Sequence, residues 1–138
     1  MINLHRWNEY IIGMQLKWPF SISIEDMSLF SKLSGDYNPL HTDSEFAQSK
    51  EFEKPVVYGL LLSAQMSRLI GQELPDQNSI IIGIQMDFIS PCFPNDELIF
   101  VADLIAKSES THTIEFKCTI LRSGKKMCKG SVSAVWKQ

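Results

Sequence analysis

Strand-like runs occupy the second half of the chain, and one further run lies near its beginning. Each run either alternates apolar and polar residues or is apolar throughout, and turn-forming residues separate the runs. The predicted strands are Met14 to Phe20, Ser79 to Phe88, Glu97 to Ile105, Thr111 to Leu121 and Lys126 to Trp136. The fourth has the clearest period of two, and one of its faces consists of Ile114, Phe116, Cys118 and Ile120. The pattern therefore predicts a sheet with one buried face.

Helical spacing of apolar residues is found between the first predicted strand and the second. Ser23, followed by acidic residues, predicts the start of a helix, and Gly35 predicts its end. After a loop from Gly35 to Thr42, Asp43 could cap a second, short helix. The segment Gly59 to Glu73 is apolar on nearly all sides, which predicts a longer helix surrounded by protein. Strands grouped after a helical block predict an α+β fold in which an antiparallel sheet wraps around this helix.

Length and charge narrow the class of protein. A chain of 138 residues, of which 44% are hydrophobic and 21% charged, fits one compact domain covering residues 1–138. The net charge of -3 is spread along the chain, so we expect no nucleic-acid partner. Met1 to Gly13 contain no apolar run typical of a signal peptide or membrane span, so we expect a cytoplasmic protein without membrane association.

Cysteine and histidine spacing gives no sign of a cofactor or metal. The three cysteines, Cys92, Cys118 and Cys128, are odd in number and form no CxxC motif, so they are predicted to be small core residues. The histidines lack the spacing of metal ligands, and the sequence has no glycine-rich phosphate loop. We therefore expect neither a metal ion nor a cofactor.

The residues best suited to chemistry lie in the loop that follows Gly35. Asp36 and His41 are five residues apart, which is neither helical nor strand spacing, so the loop must bend to bring them together. Pro39 fixes its own φ and restricts Asn38, which makes such a bend reproducible. A carboxylate and an imidazole that converge can share one water molecule, an arrangement suited to hydration and dehydration. The same residue types also build ordinary turns, so a purely structural interpretation stays open.

The start of the long predicted helix is a second candidate site. Tyr58 and Gly59 open this helix, whose unpaired N–H groups and positive dipole end could hydrogen-bond a carbonyl oxygen as it gains negative charge. Ser67 lies eight residues beyond Gly59, about two turns along the same helix face, and its hydroxyl could reach a substrate. Gly59 could equally relieve crowding, and Ser67 could bond to its own helix. Both interpretations stay open on these grounds.

The segment Phe30 to His41, which reads FSKLSGDYNPLH, resembles the signature of the MaoC-like dehydratase family. That family includes the (R)-specific enoyl-CoA hydratases. Lys54 to Leu61 resembles the family's segment leading into its central helix, and Met86 to Phe93 resembles the strand and turn that follow. The resemblance covers most of the chain and implies a hot-dog fold, in which an antiparallel sheet wraps a long helix. It also implies a homodimer in which two such sheets join.

The resemblance assigns roles to individual residues. It implies that Asp36 and His41 activate water, and that the backbone N–H of Gly59 holds the thioester oxygen. Ser67 matches a serine that lies near the substrate, while Gly35, Asn38 and Pro39 give the loop its shape. Tyr58 departs from the pattern, because the family usually has His before the helix glycine. We expect Tyr58 to contact the substrate and to alter the opening of the pocket.

The implied reaction is the reversible hydration of a 2-enoyl thioester to an (R)-3-hydroxyacyl thioester, with acyl-CoA as the substrate. A first alternative is the dehydration of 3-hydroxyacyl groups on acyl carrier protein, or of an acyl group in a specialised pathway. A thioester hydrolase on the same fold is disfavoured by the Asp36 and His41 pair. A further alternative is a non-catalytic subunit that binds acyl chains.

Overall fold

Five strands and five helices make up the chain in a computed structural model, which describes residues 4–137. Residues 1–3 of the amino-terminal segment considered above, and residue 138, lie outside the described part. The strands are β1 Gln15–Phe20, β2 Ser79–Phe88, β3 Leu98–Ser108, β4 Thr113–Arg122 and β5 Lys125–Trp136. The helices are α1 Leu4–Trp7, α2 Ile24–Ser34, α3 Pro39–Thr42, α4 Ser44–Ser49 and α5 Gly59–Arg68, which continues as a π-helical turn at Leu69–Glu73. All five predicted strands are therefore confirmed, with small shifts at their ends.

The strands form one antiparallel sheet in the order β1-β3-β4-β5-β2. The predicted buried face of β4 is confirmed, since its four apolar residues are all buried. They belong to one core cluster with residues of α5 and the π-helical turn after it, among them Leu62, Met66 and Leu69. A five-stranded antiparallel sheet around one helix is the hot-dog fold, so the predicted α+β class is confirmed.

The start and end of α2 follow from local chemistry. The Ser23 hydroxyl accepts a hydrogen bond from the Asp26 N–H at 3.0 Å, and the Asp26 carboxylate accepts one from the Ser23 N–H at 2.9 Å. This reciprocal capping box satisfies two N–H groups that the first turn cannot pair. At the other end Gly35 has a φ of 77°, and its N–H donates to the Ser31 carbonyl at 2.9 Å. Both predicted ends of the helix are confirmed.

Two details differ from the expectations. The segment after Gly35 is not irregular throughout, because Pro39–Thr42 forms the short helix α3. Pro39 presets the first helical φ, and the Asn38 side chain caps the helix by accepting from the Leu40 N–H at 2.9 Å. The long helix is also not enclosed on all sides within one chain, since Leu60 is 66% exposed. No helix in the described chain has the length and apolar character needed to cross a membrane.

The cysteines lie in the core, as predicted, and all three are free and buried. Burial raises the pKa of the Cys118 thiol to about 12. A hydrogen bond between Cys92 and Cys128 lowers the pKa of the Cys92 thiol and raises that of Cys128. These side chains therefore pack as small core residues.

Candidate active site

The loop between α2 and α3 holds Asp36 in a defined turn. Its Oδ1 accepts a hydrogen bond from the Asn38 N–H at 3.0 Å, and its own N–H donates to the Ser34 hydroxyl at 3.1 Å. The side chain is exposed. Its second oxygen, Oδ2, has no hydrogen bond to a described residue and is therefore free to accept one from a ligand. Gly35, Asn38 and Pro39 all lie at bends or helix ends of this segment, where they shape the loop.

His41 lies in α3 with its imidazole half-buried. Its Nδ1 is 2.6 Å from the Val56 carbonyl oxygen. A carbonyl oxygen can only accept, so this bond places a proton on Nδ1. In the neutral ring Nε2 then carries no proton and can take one from a substrate or water molecule. The Val56 N–H donates to the Leu40 carbonyl at 3.0 Å, which ties the two segments together on either side of the ring.

Tyr58 lies beneath the loop and is only 2% exposed. Its hydroxyl is 2.6 Å from the Asp36 carbonyl oxygen and 2.5 Å from the Ser31 hydroxyl. Its ring stacks on the His41 imidazole, with centroids 4.1 Å apart and planes inclined by 26°. The structure thus brings Tyr58 together with both candidate catalytic residues. A direct contact between Tyr58 and the substrate stays a prediction.

Gly59 is the first residue of α5, where Tyr58 provides no side-chain cap for the free N–H groups. It lines a cavity of about 360 Å³ together with His41. A Cβ at Gly59 would lie 2.6 Å from the nearest ring atom of Phe88, which is far below a normal carbon–carbon contact. Gly59 therefore relieves crowding, and it also leaves its backbone N–H at a cavity wall. The two interpretations offered by the sequence are compatible.

His41 lines two cavities. The one that it shares with Gly59 is mostly apolar, with walls that include Val57, Leu62, Phe88 and Ile89. The other, of about 480 Å³, is bordered by more hydroxyl groups and by a lysine, namely Ser28, Ser31, Thr42, Ser44 and Lys54. An apolar ligand fits the first cavity better than the hydroxyl-lined one. Within residues 4–137, no three His, Cys, Asp or Glu side chains come together in a way that could hold a metal ion.

Ser67 is exposed and lines neither of these cavities. Its proposed contact with the substrate stays a prediction. Sequence reasoning overlooked Ser63, which is buried one turn after Gly59 and whose hydroxyl donates to the Gly59 carbonyl at 3.2 Å. It also overlooked Ser31, the partner of the Tyr58 hydroxyl. The spacing of four residues from Gly59 could have drawn attention to Ser63. The pairing of Ser31 with Tyr58 depends on tertiary structure.

A sheet wrapped around a helix defines a hot-dog protein, and its candidate site is the Asp and His loop beside the start of that helix. Residues 9–124 match the model of the MaoC like domain. The chain therefore belongs to the MaoC-like domain family, and the predicted resemblance is confirmed.

Individual relatives agree with this assignment. The chain is 36% identical over 98 residues to the (R)-specific enoyl-CoA hydratase of Aeromonas caviae, covering 71% of this chain and 73% of the relative. It is 31% identical over 99 residues to a mitochondrial 3-hydroxyacyl-[acyl-carrier-protein] dehydratase of Arabidopsis thaliana, covering 72% of this chain and 58% of the relative. The solved structure of an (R)-hydratase from A. caviae involved in PHA biosynthesis has a TM-score of 0.87 and 29% identity, covering 93% of this chain and 98% of that chain.

Proposed function

We propose that this protein catalyses the reversible hydration of 2-enoyl thioesters to (R)-3-hydroxyacyl thioesters, with acyl-CoA as the substrate. The observation that carries the proposal is the shared cavity of His41 and Gly59. In the neutral His41 ring the bond from Nδ1 to Val56 leaves Nε2 without a proton, and Gly59 supplies the N–H groups of a helix start. The 36% identity to an (R)-specific enoyl-CoA hydratase supports the same reaction. The enzyme is then a hydro-lyase that uses no cofactor.

In the proposed reaction, the thioester carbonyl oxygen accepts a hydrogen bond from the Gly59 N–H. Asp36 Oδ2 and His41 Nε2 hold one water molecule over the C2=C3 bond. The pair removes a proton from the water as its oxygen attacks C3, and negative charge develops on the thioester oxygen, where the helix start stabilises it. The pair then returns one proton to C2, so the reaction adds one water molecule in total. Both additions occur on one face, which makes the reaction syn.

The acyl chain would lie against the apolar walls of the cavity, including Leu62 and Phe88. Ser67 remains a proposed substrate contact, which its exposed position allows only if the substrate or a second subunit reaches that part of α5.

The Asp36→Asn variant tests the reaction and the residue together. Asn keeps an oxygen that accepts from the Asn38 N–H, so the turn survives while the carboxylate is lost. We expect turnover of crotonyl-CoA and longer enoyl-CoAs to fall by about 10²-fold or more. Turnover is measured as the loss of the enoyl-thioester absorbance. The matched control is Asp43→Asn, because Asn caps a helix as well as Asp does and Asp43 caps α4. Unchanged turnover in Asp36→Asn would refute the assignment.

A second candidate substrate is the acyl group on acyl carrier protein. Lys50 and Lys54 are both exposed on the segment beside the His41 cavities, where an acidic carrier protein could dock. The test compares kcat/KM for the same acyl group on CoA and on carrier protein. If the carrier protein is the substrate, Lys50→Glu with Lys54→Glu should lower only the second value. An equal effect on both kcat/KM values would show that the two lysines make no contact specific to the carrier protein.

We further propose that residues 1–138 form one hot-dog unit and that two copies form a homodimer through β2. This strand lies at the edge of the sheet and exposes the large apolar side chains Ile80, Ile82 and Ile84. Antiparallel pairing of two such edges would satisfy their backbone groups and cover these side chains. Sedimentation should give a dimer mass that Ile82→Glu reduces to a monomer. A monomeric mass for the wild type at micromolar concentration would contradict the dimer.

We also propose a cytoplasmic location. All three cysteines are free thiols, which is typical of proteins in reducing compartments. Cell fractionation tests this assignment, and recovery of the protein from an oxidising compartment would overturn it.

A further inference from the structure

Tyr58 contacts both of the residues that the proposed reaction uses. We propose that Tyr58 is a positioning residue, whose hydroxyl fixes the backbone of Asp36 and whose ring fixes the imidazole of His41. The inference rests on the proposed function, because it gives Tyr58 a role in that reaction. It differs from the expectation drawn from the sequence, in which Tyr58 was a substrate contact.

The number of hydroxyl protons determines which group donates in each hydrogen bond around Tyr58. Three contacts connect two hydroxyl groups with two carbonyl oxygens: 2.6 Å from Tyr58 to Asp36, 2.5 Å between Tyr58 and Ser31, and 3.0 Å from Ser31 to Met27. Only two protons are available, and carbonyl oxygens supply none. The two short contacts are both filled if Ser31 donates to Tyr58 and Tyr58 donates to Asp36. A hydroxyl that accepts one bond donates a stronger second one.

The contacts of Asp36 and His41 leave each of these side chains with one atom that can bind a ligand. Tyr58 holds Asp36 at its carbonyl and the Asn38 N–H holds its Oδ1, so Oδ2 remains free. His41 is held at Nδ1 by Val56 and across its face by the Tyr58 ring, and its Nε2 has no hydrogen bond to any residue between 4 and 137. Removing the Tyr58 hydroxyl would release the Asp36 backbone and leave the stacking in place.

The bond to the Asp36 carbonyl needs the hydroxyl at the end of the Tyr58 ring. Because Tyr58 is buried, it acts on the orientation of the catalytic groups and leaves substrate binding unchanged.

The first experiment measures steady-state hydration by Tyr58→Phe, which keeps the ring and loses the hydroxyl. We expect kcat to fall between about 10-fold and 100-fold, because small displacements of a catalytic group have effects of this size. KM should stay within about twofold, since uniform binding is untouched. The matched control is Tyr37→Phe, which removes the hydroxyl of the exposed tyrosine next to Asp36. Ser31→Ala should lower kcat less than Tyr58→Phe, because the bond from Tyr58 to Asp36 survives.

The second experiment is independent of turnover. Amide hydrogen exchange of the peptide covering residues 35–42 should be faster in Tyr58→Phe by about threefold or more, and unchanged in Tyr37→Phe. Exchange in β4 should match the wild type, which shows that the fold is intact. If Tyr58→Phe does not fold, Ser31→Ala carries the same test with a smaller expected increase.

The outcomes separate the two proposals. If Tyr58→Phe has the same kcat as the wild type, with or without a raised KM, Tyr58 has no positioning role. That result would leave the hydratase proposal intact. Wild-type exchange in the loop would also overturn the positioning role. A wild-type protein without turnover on any enoyl thioester would overturn the proposed function, and loop exchange would then decide whether Tyr58 holds the loop.

Discussion

Gly59→Ala tests the idea that the start of α5 must stay open. The added Cβ would lie 2.6, 2.9 and 3.0 Å from three ring atoms of Phe88. Normal carbon–carbon contacts are about 3.5 to 4.0 Å, so the ring must move by about 1 Å. Phe88 is half-exposed and can turn toward solvent, which limits the strain to about 1 to 3 kcal/mol. Ala is favoured over Gly in helices by up to about 1 kcal/mol, so the net loss of stability should be about 0 to 2 kcal/mol.

The effect on activity should be much larger than the effect on stability. The added methyl group would occupy space beside the Gly59 N–H, through which a thioester oxygen would approach. We expect kcat/KM for enoyl-CoA to fall by about 10²-fold, which corresponds to a displacement of about 1 Å at a reacting centre. The assay combines the loss of enoyl-thioester absorbance with urea unfolding of the same preparation.

Gly71→Ala is the matched control, because Gly71 lies in the π-helical turn after α5 and a Cβ there meets nothing within 4 Å. It should keep full activity and be stabilised by up to about 1 kcal/mol. Adding Phe88→Leu to Gly59→Ala should restore part of the activity by making room for the methyl group. Wild-type kcat/KM in Gly59→Ala would refute the reasoning, since a carbonyl would then have no need of this space.

Three further predictions concern the scaffold. Gly130→Ala should destabilise the protein by about 4 kcal/mol or more in urea unfolding, because its Cβ would collide with the Gln85 carbonyl across the β2 and β5 pair; a loss under about 1 kcal/mol would contradict this. Arg122→Met should cost about 1 to 2 kcal/mol, since Arg122 is 2.7 Å from the Asp96 carboxylate, and the loss should shrink in high salt. Because folding raises the pKa of the Cys118 thiol, the contribution of this group to the free energy of unfolding is fully present below about pH 9, where the unfolded thiol titrates. This contribution falls as the pH rises toward 12. Cys118→Ala should weaken this fall between about pH 8 and pH 10.5, and an unchanged slope would rule Cys118 out as its source.

The strands and helix ends that depend on residues close along the chain were predicted well. The strands followed from a period of two, which arises because successive side chains point to opposite faces. The ends of α2 followed from Ser23 and Gly35, whose effects act within one turn of the chain. The short helix α3 was missed because it is only one turn long, and its start depends on the combined action of Asn38 and Pro39.

The sequence indicated the candidate site only in part. The sequence indicated Asp36, His41 and Gly59 through a contiguous loop motif and a helix start, and the structure places His41 and Gly59 at one cavity. Ser67 was assigned from helix periodicity, which gives the face of a helix but not what that face meets. Its exposed position in a single chain follows from the packing of α5 in the sheet.

By itself the sequence determined the strands, the main helices and the residue types available for chemistry, because these depend on interactions between residues close along the chain. Only the tertiary structure decided how the chemistry is arranged. His41 is oriented by a carbonyl fifteen residues away, and Asp36 is held by Tyr58, twenty-two residues away. Such pairings depend on how the loop lies over the start of α5. That placement results from burial of the core as a whole, so no local pattern in the sequence reports it.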